Sequence, residues 1–273
     1  MPRVEVNGVG INYEVHGSGP PVVMIGGLGA DTYLWSKQVP AFSERFRVVV
    51  FDNRGSGQSD KPDEPYSIPM FAADTVGLMT ALGIERAHVV GASLGGLIAQ
   101  EFALSYPEMV DRLVLVCTTH NGRKSARPSL WSLIPIALAV RRTGKPEADI
   151  RRSFAVFTSK RWIEANQEEV DGFVAWRVAH PQPPAAFKRQ RQSIKGFSTE
   201  DRLGGITAPT LIVHGDSDRV VPVANAGLLA ERIPNSQVVI LEDSGHACSF
   251  DQRVRFNHAV LGFLTENETG VAE

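Results

Sequence analysis

The chain has 273 residues, 43% of them hydrophobic and 21% charged, with 28 Lys and Arg against 30 Asp and Glu for a formal charge of −2. These values argue against a disordered, collagenous or coiled-coil chain, and a near-neutral total argues against a general nucleic-acid binder. Two cysteines, Cys117 and Cys248, are too few for a disulfide framework. The opening Met1–Gly10 has no apolar run behind a basic end, so no signal peptide is expected. The longest apolar stretch, Leu130–Val140, contains Ser132 and Pro135 and is shorter than the roughly 20 residues of a span. A cytoplasmic protein with no membrane partner is the expectation.

In chain order, Val4–Val6 and Ile11–Val15 read as opening strands around an Asn7-Gly8 turn. Val22–Ile25, ended by glycines, and Val48–Phe51 follow, then a helical pattern over Tyr66–Leu82. His88–Val90 runs into Gly91, a helix is expected over Leu94–Ser105, and Leu113–Val116 is the next strand. Leu211–Val213, Val238–Leu241 and a helix over Val254–Leu264 complete the series. Short apolar runs between turns suit strands buried on both faces, and their alternation with helices predicts a mostly parallel sheet. Between about Asn121 and Ala208 the alternation stops and Trp131, Trp162, Phe173 and Trp176 supply bulk. This reads as a helical insertion, with 1–120 and 209–273 forming the core domain and 121–208 a cap. Residues 121–200 carry +8 and the remainder −10. The tail Glu266–Glu273 is polar and expected to fray.

Gly91-Ala92-Ser93-Leu94-Gly95 fits G-x-S-x-G between a strand and a helix, the context that motif requires. A serine on so sharp a turn has a strained backbone and needs small neighbours, and the following helix opens with unpaired N–H groups. Ser93 is the candidate nucleophile. It needs a base. His246, in Ser244-Gly245-His246 past the last strand, reaches the same sheet edge, and His214 is the rival. His88 starts a strand at the wrong end, while His16, His120, His180 and His258 read as surface or loop residues. The loop His214–Pro222 offers Asp218 as the carboxylate partner, with Asp216 as the alternative and Asp243 as a loop residue. Backbone N–H groups of Leu28, in Gly26–Gly29, and of Leu94 are the candidate oxyanion donors.

With these residues the chain resembles the α/β-hydrolase superfamily from about Tyr13 to Leu264. The marks are Gly26–Gly29, Asp52–Ser59, the Ser93 elbow, Gly215–Pro222 and Ser244–His246, in the superfamily's order. Gly26 departs from the histidine that many members place there. The resemblance implies an α/β-hydrolase fold with a helical lid over 121–208, acyl transfer, and no metal or organic cofactor. It implies a structural role near the pocket for Asp52–Ser59. Relatives that open epoxides or remove halides carry aspartate where this chain has Ser93. Small-molecule esterases, enol-lactonases and perhydrolases are the resembling members, so an ester or lactone is the expected substrate. An anionic one would meet Arg123, Lys124, Arg127, Arg141 and Arg142. Gly27, Trp131, Trp162 and Trp176 are candidate substrate contacts. Carbon–carbon bond hydrolysis of β-diketones or ring-cleavage products, and ligand reception without turnover, are the alternatives.

Overall fold

The computed structural model describes residues 2–139 and 143–266. The expected doubly covered sheet is present. Eight strands run β1 (Arg3–Val6), β2 (Val9–His16), β3 (Pro21–Ile25), β4 (Arg47–Phe51), β5 (Ala87–Ala92), β6 (Val110–Val116), β7 (Thr210–Gly215) and β8 (Ser236–Leu241). Their spatial order is β1-β2-β4-β3-β5-β6-β7-β8. β2 pairs antiparallel with β1 and β4, and every later pairing is parallel.

The two-residue period of the central strands explains their unbroken apolar runs. Val23, Ile25, Val49, Val89, Leu113 and Ile212 face one layer, packing with Phe71 and Leu78 of α2 (Ile68–Ala81) and Ile98 and Phe102 of α3 (Leu94–Ser105). Val22, Met24, Val48, Val90, Val114 and Val213 face the other, against Trp35, Phe42 and, from the C-terminal helix Arg253–Thr265, Phe256 and Val260. α2 begins one residue after Ser67, whose hydroxyl accepts the Met70 amide, so the helix starts later than the apolar pattern at Tyr66 suggests. β8 departs from the expectation of strands buried on both faces. It is an edge strand, and Val238 and Ile240 are exposed.

Short α1 (Val39–Phe42) precedes β4. Between β6 and β7 lie α4 (Leu130–Ala139), α5 (Pro146–Phe157), α6 (Lys160–Ala165), α7 (Gln167–Ala179) and α8 (Pro184–Ser193), with no strand among the described residues of that stretch. After β7 come α9 (Ala224–Ala230), then α10 (Cys248–Asp251) and α11 (Arg253–Thr265) after β8. A third apolar cluster joins Phe154 of α5 and Val170 and Val174 of α7 to Phe250 of α10. No helix of the described residues is long and apolar enough to cross a membrane. Residues 267–273, which hold nearly all of the expected fraying tail, lie outside the described residues.

The Asp52–Ser59 loop is pinned by its first carboxylate. Asp52 is buried and accepts the Thr32 amide at 2.8 Å, the Gln58 amide at 2.8 Å and the Asn12 side-chain amide at 2.9 Å. Burial pushes its pKa up, and these bonds only partly offset that. α3 lies very close to β3, because a Cβ on Gly95 would stand 2.2 Å from the Ile25 carbonyl oxygen. Gly95→Ala should therefore force that backbone apart and cost about 1–3 kcal/mol of unfolding free energy, measured by urea denaturation.

Candidate active site

β5 ends at Ala92 and α3 begins at Leu94, leaving Ser93 alone to reverse the chain. Its φ of 55° and ψ of −113° lie outside the ordinary wells, a conformation costing about 1–3 kcal/mol. The Ser93 amide continues the ladder to the Val116 carbonyl at 2.8 Å. Its own carbonyl accepts from the Gly96 and Leu97 amides and from the Thr118 hydroxyl. A Cβ at Gly91 would stand 2.3 Å from the Gly95 carbonyl oxygen, so this turn closes only with glycine there.

Ser93 Oγ lies 3.0 Å from His246 Nε2, and His246 Nδ1 lies 2.7 Å from Asp218 Oδ2. The three residues follow β5, β8 and β7 at one rim of the sheet. Asp218 has no exposed side-chain surface, and its Oδ1 accepts the Val220 and Val221 amides at 2.8 and 2.9 Å. Burial alone would raise the carboxyl's pKa. The adjacent His246 and hydrogen bonds from both His214 and His246 outweigh it and hold the group below the ordinary carboxylate range. Asp216, the alternative carboxylate, is exposed and instead accepts the Ser244 amide at 3.1 Å. Asp243 takes a positive φ of 54° in the loop before His246.

His214 does not take the place of His246. It is fully buried, and its Nε2 lies 2.9 Å from the Val221 carbonyl and 3.2 Å from Asp218 Oδ2. Burial lowers its pKa, but the neighbouring Cys117 and Asp218 outweigh that and raise it. His88 stands at the opposite end of β5 near Asp111. His120, of the residues expected on the surface or in loops, lies in the loop after β6, where it is buried and its Nδ1 accepts the Gly122 amide.

Gly27 sits against the elbow, where a Cβ would lie 3.4 Å from Ser93 Cβ. Leu28 is the next residue, and Leu94 is the first of α3, whose amide the helix itself leaves unpaired. The Gly29 amide donates to Gln190 Oε1 of α8 at 2.9 Å, and Gln190 Nε2 donates to the Arg54 carbonyl and Ser56 hydroxyl. Buried Gln190 thus ties α8 to both loops. Asp251 does the same for the histidine loop, accepting the Ser244 hydroxyl, the Gly245 amide and, from the chain between α5 and α6, the Ser159 amide. The ring of Phe157, at the end of α5, is 5.8 Å from the His246 ring. Sequence reading missed all three, because the links from Gln190 to Gly29, Asp251 to Ser159 and Phe157 to His246 join distant stretches and leave no local spacing.

The three tryptophans part company. Trp131 is 83% exposed and faces solvent, which corrects its expected place on a pocket wall. Trp162 packs on Phe154 and Phe250. Trp176 stacks on Tyr33 and donates to Asp31, beside a cavity of about 190 Å³ also lined by Thr32, Asp52 and His180 and by no member of the Ser93 group. Arg123, Lys124 and Arg127 are exposed, and Arg141 and Arg142 lie outside the described residues. Cys117 and Cys248 are free and buried with their sulfurs 3.4 Å apart. Cys117, His214 and Asp218 are the described residues whose ligand atoms cluster as a metal site would. Both oxygens of Asp218 are already engaged by the amides and histidines above.

Residues 20–252 match the alpha/beta hydrolase fold family. A protein of Azorhizobium caulinodans named "Putative carbamate hydrolase RutD" is 31% identical over 97% of this chain and 99% of its own length. The crystal structure of an enol-lactonase from Burkholderia xenovorans superposes with a TM-score of 0.83 at 27% identity, covering 97% of this chain and all of that one. A meta-cleavage product hydrolase from Pseudomonas fluorescens gives 0.83 at 29% identity over 97% and 98% of the two chains. With its parallel sheet, its elbow after β5 and this match over most of its length, the chain belongs to the alpha/beta hydrolase fold family.

Proposed function

We propose that this hydrolase cleaves a carboxylic ester or lactone of a small molecule through an acyl-enzyme. The observation that carries the reading is the unbroken chain from Ser93 Oγ to His246 Nε2 at 3.0 Å and from His246 Nδ1 to Asp218 at 2.7 Å. In this mechanism Ser93 Oγ attacks the carbonyl carbon as its proton passes to His246. Asp218 fixes the tautomer with Nδ1 protonated and stabilises the imidazolium. The Leu28 and Leu94 amides hold the oxyanion, each contributing about 3–4 kcal/mol to the transition state. His246 gives the proton to the departing alkoxide, and water attacks the acyl-enzyme by the same route in reverse. Residues 121–208 act as the lid, with Phe157 and Gln190 bringing it against the base and the oxyanion loop.

A second reading keeps the serine and changes the bond. The carbamate hydrolase name of the relative from Azorhizobium caulinodans favours a carbamate carbonyl, which the same acyl transfer would attack. The meta-cleavage product hydrolase neighbour favours a carbon–carbon bond beside a ketone. A panel of p-nitrophenyl esters, lactones, carbamates and a coloured ring-cleavage product separates these by kcat/KM.

A fluorophosphonate should label Ser93 stoichiometrically, as read by peptide mapping. Ser93→Ala should keep the fold and lose about 10⁵–10⁶ in kcat. Labelling elsewhere, or a Ser93→Ala enzyme that still turns over, would reject the mechanism. Asp218→Asn should lower kcat about 10⁴-fold through the wrong histidine tautomer. Asp216→Asn, whose carboxylate accepts the Ser244 amide, should remain within about tenfold of the parent. The comparison is made under saturating substrate.

A further inference from the structure

The most apolar exposed surface of the described residues belongs to α4, Leu130-Trp131-Ser132-Leu133-Ile134-Pro135-Ile136-Ala137-Leu138-Ala139. At about 100° per residue, Leu133, Ala137, Leu130, Ile134, Leu138 and Trp131 fall within a continuous arc of roughly 160°. All six are exposed, Leu130 by 80% and Trp131 by 83%. The half-buried residues Ser132, Pro135 and Ile136 lie on the opposite side, toward the protein. Hydrophobicity on the outward face reverses the usual pattern of a surface helix, and such a patch marks a contact surface.

The charges around it identify the occupant. No Asp or Glu occurs from 121 to 146. Arg123, Lys124 and Arg127 precede the helix and Lys145 follows it, all four exposed. Among the described residues, none of these four side chains is in an ion pair, unlike Arg151 and Arg152 of the neighbouring α5. An apolar arc with cations at both ends matches a lipid leaflet with acidic headgroups, where acyl chains take the arc and headgroups take the cations. Trp131 suits the boundary between the two. A second copy of the chain fits poorly. Two such helices packed face to face, parallel or antiparallel, would bring cations against cations at both ends.

We propose that α4 docks this enzyme in the plane of an anionic lipid surface. At ten residues the helix is about 15 Å long, so it lies on the leaflet and does not span it. The expectation of no membrane partner rested on span length, which says nothing about an interfacial helix. The proposal rests on exposure and charge alone and stands whether or not the proposed chemistry does.

The test is co-sedimentation of the full chain with phosphatidylcholine vesicles, with and without about 30% phosphatidylglycerol. Binding should be at least about tenfold stronger to the anionic vesicles and should fall at high salt. Ile134→Asp should remove it while leaving the thermal unfolding midpoint in place, since that side chain faces solvent. Arg123→Gln with Lys124→Gln should weaken binding by about tenfold or more at unchanged affinity for neutral vesicles. Equal binding to neutral and anionic vesicles, or no binding, would overturn the proposal. So would full binding by Ile134→Asp. A concentration-dependent dimer that Ile134→Asp abolishes, without lipid binding, would assign the face to a second copy and overturn it equally.

Discussion

The geometry of the site rests on one tight reversal of the backbone. Ser93 stands alone between β5 and α3 at a positive φ, and the chain can make that turn only where three backbones come almost into contact. Gly91 meets the carbonyl of Gly95, Gly95 meets the carbonyl of Ile25, and Gly27 meets Ser93 itself. The strain at the serine is held by bonds at both of its ends, the amide to Val116 and the carbonyl to α3 and Thr118. Packing α3 against β3 therefore does two things at once. It closes the core, and it holds the glycine loop against the serine at the start of the helix.

The second constraint is a buried negative charge. Asp218 has lost its water, and four donors replace it: the Val220 and Val221 amides, His246 and His214. An ionised carboxylate in such a place is stable only when fully satisfied. The two amides fix one oxygen, which leaves the other directed at both histidines. His214 is thus part of what keeps the carboxylate charged, although its ring does not stand beside Ser93 in place of His246. The histidine loop has a parallel support in Asp251, which gathers donors from Ser244, Gly245 and Ser159.

Features encoded by short-range pattern were legible in the sequence. Unbroken apolar runs in β3 to β7 announce burial on both faces, and the glycine spacing around Ser93 announces a turn that only small residues permit. The choice of Asp218 over Asp216 follows from loop position, and the structure puts Asp218 at His246. Gln190, Asp251 and Phe157 were not legible. Each ties together stretches far apart in the chain, Gln190 reaching Gly29 across 161 positions and Asp251 reaching Ser159 across 92, and no periodicity records such a pairing. Apolar content also misleads where topology sets exposure. Val238 and Ile240 read as core yet are exposed on β8, which ends the sheet among the described residues.

The same limit applies to the tryptophans. Bulk in the insertion suggests a pocket lining, yet aromatic mass there divides among three duties. Trp162 joins the cluster that welds α5 and α7 to α10, Trp176 braces Asp31 and Tyr33, and Trp131 faces water. The first two offset the cost of ordering several short helices, since helices this short are marginal on their own. Trp131, 83% exposed, contributes little of this packing. An outward apolar arc costs free energy in water unless something covers it. Among the described residues its flanking cations Arg123, Lys124, Arg127 and Lys145 make no ion pair either, and the proposed lipid contact accounts for both features together.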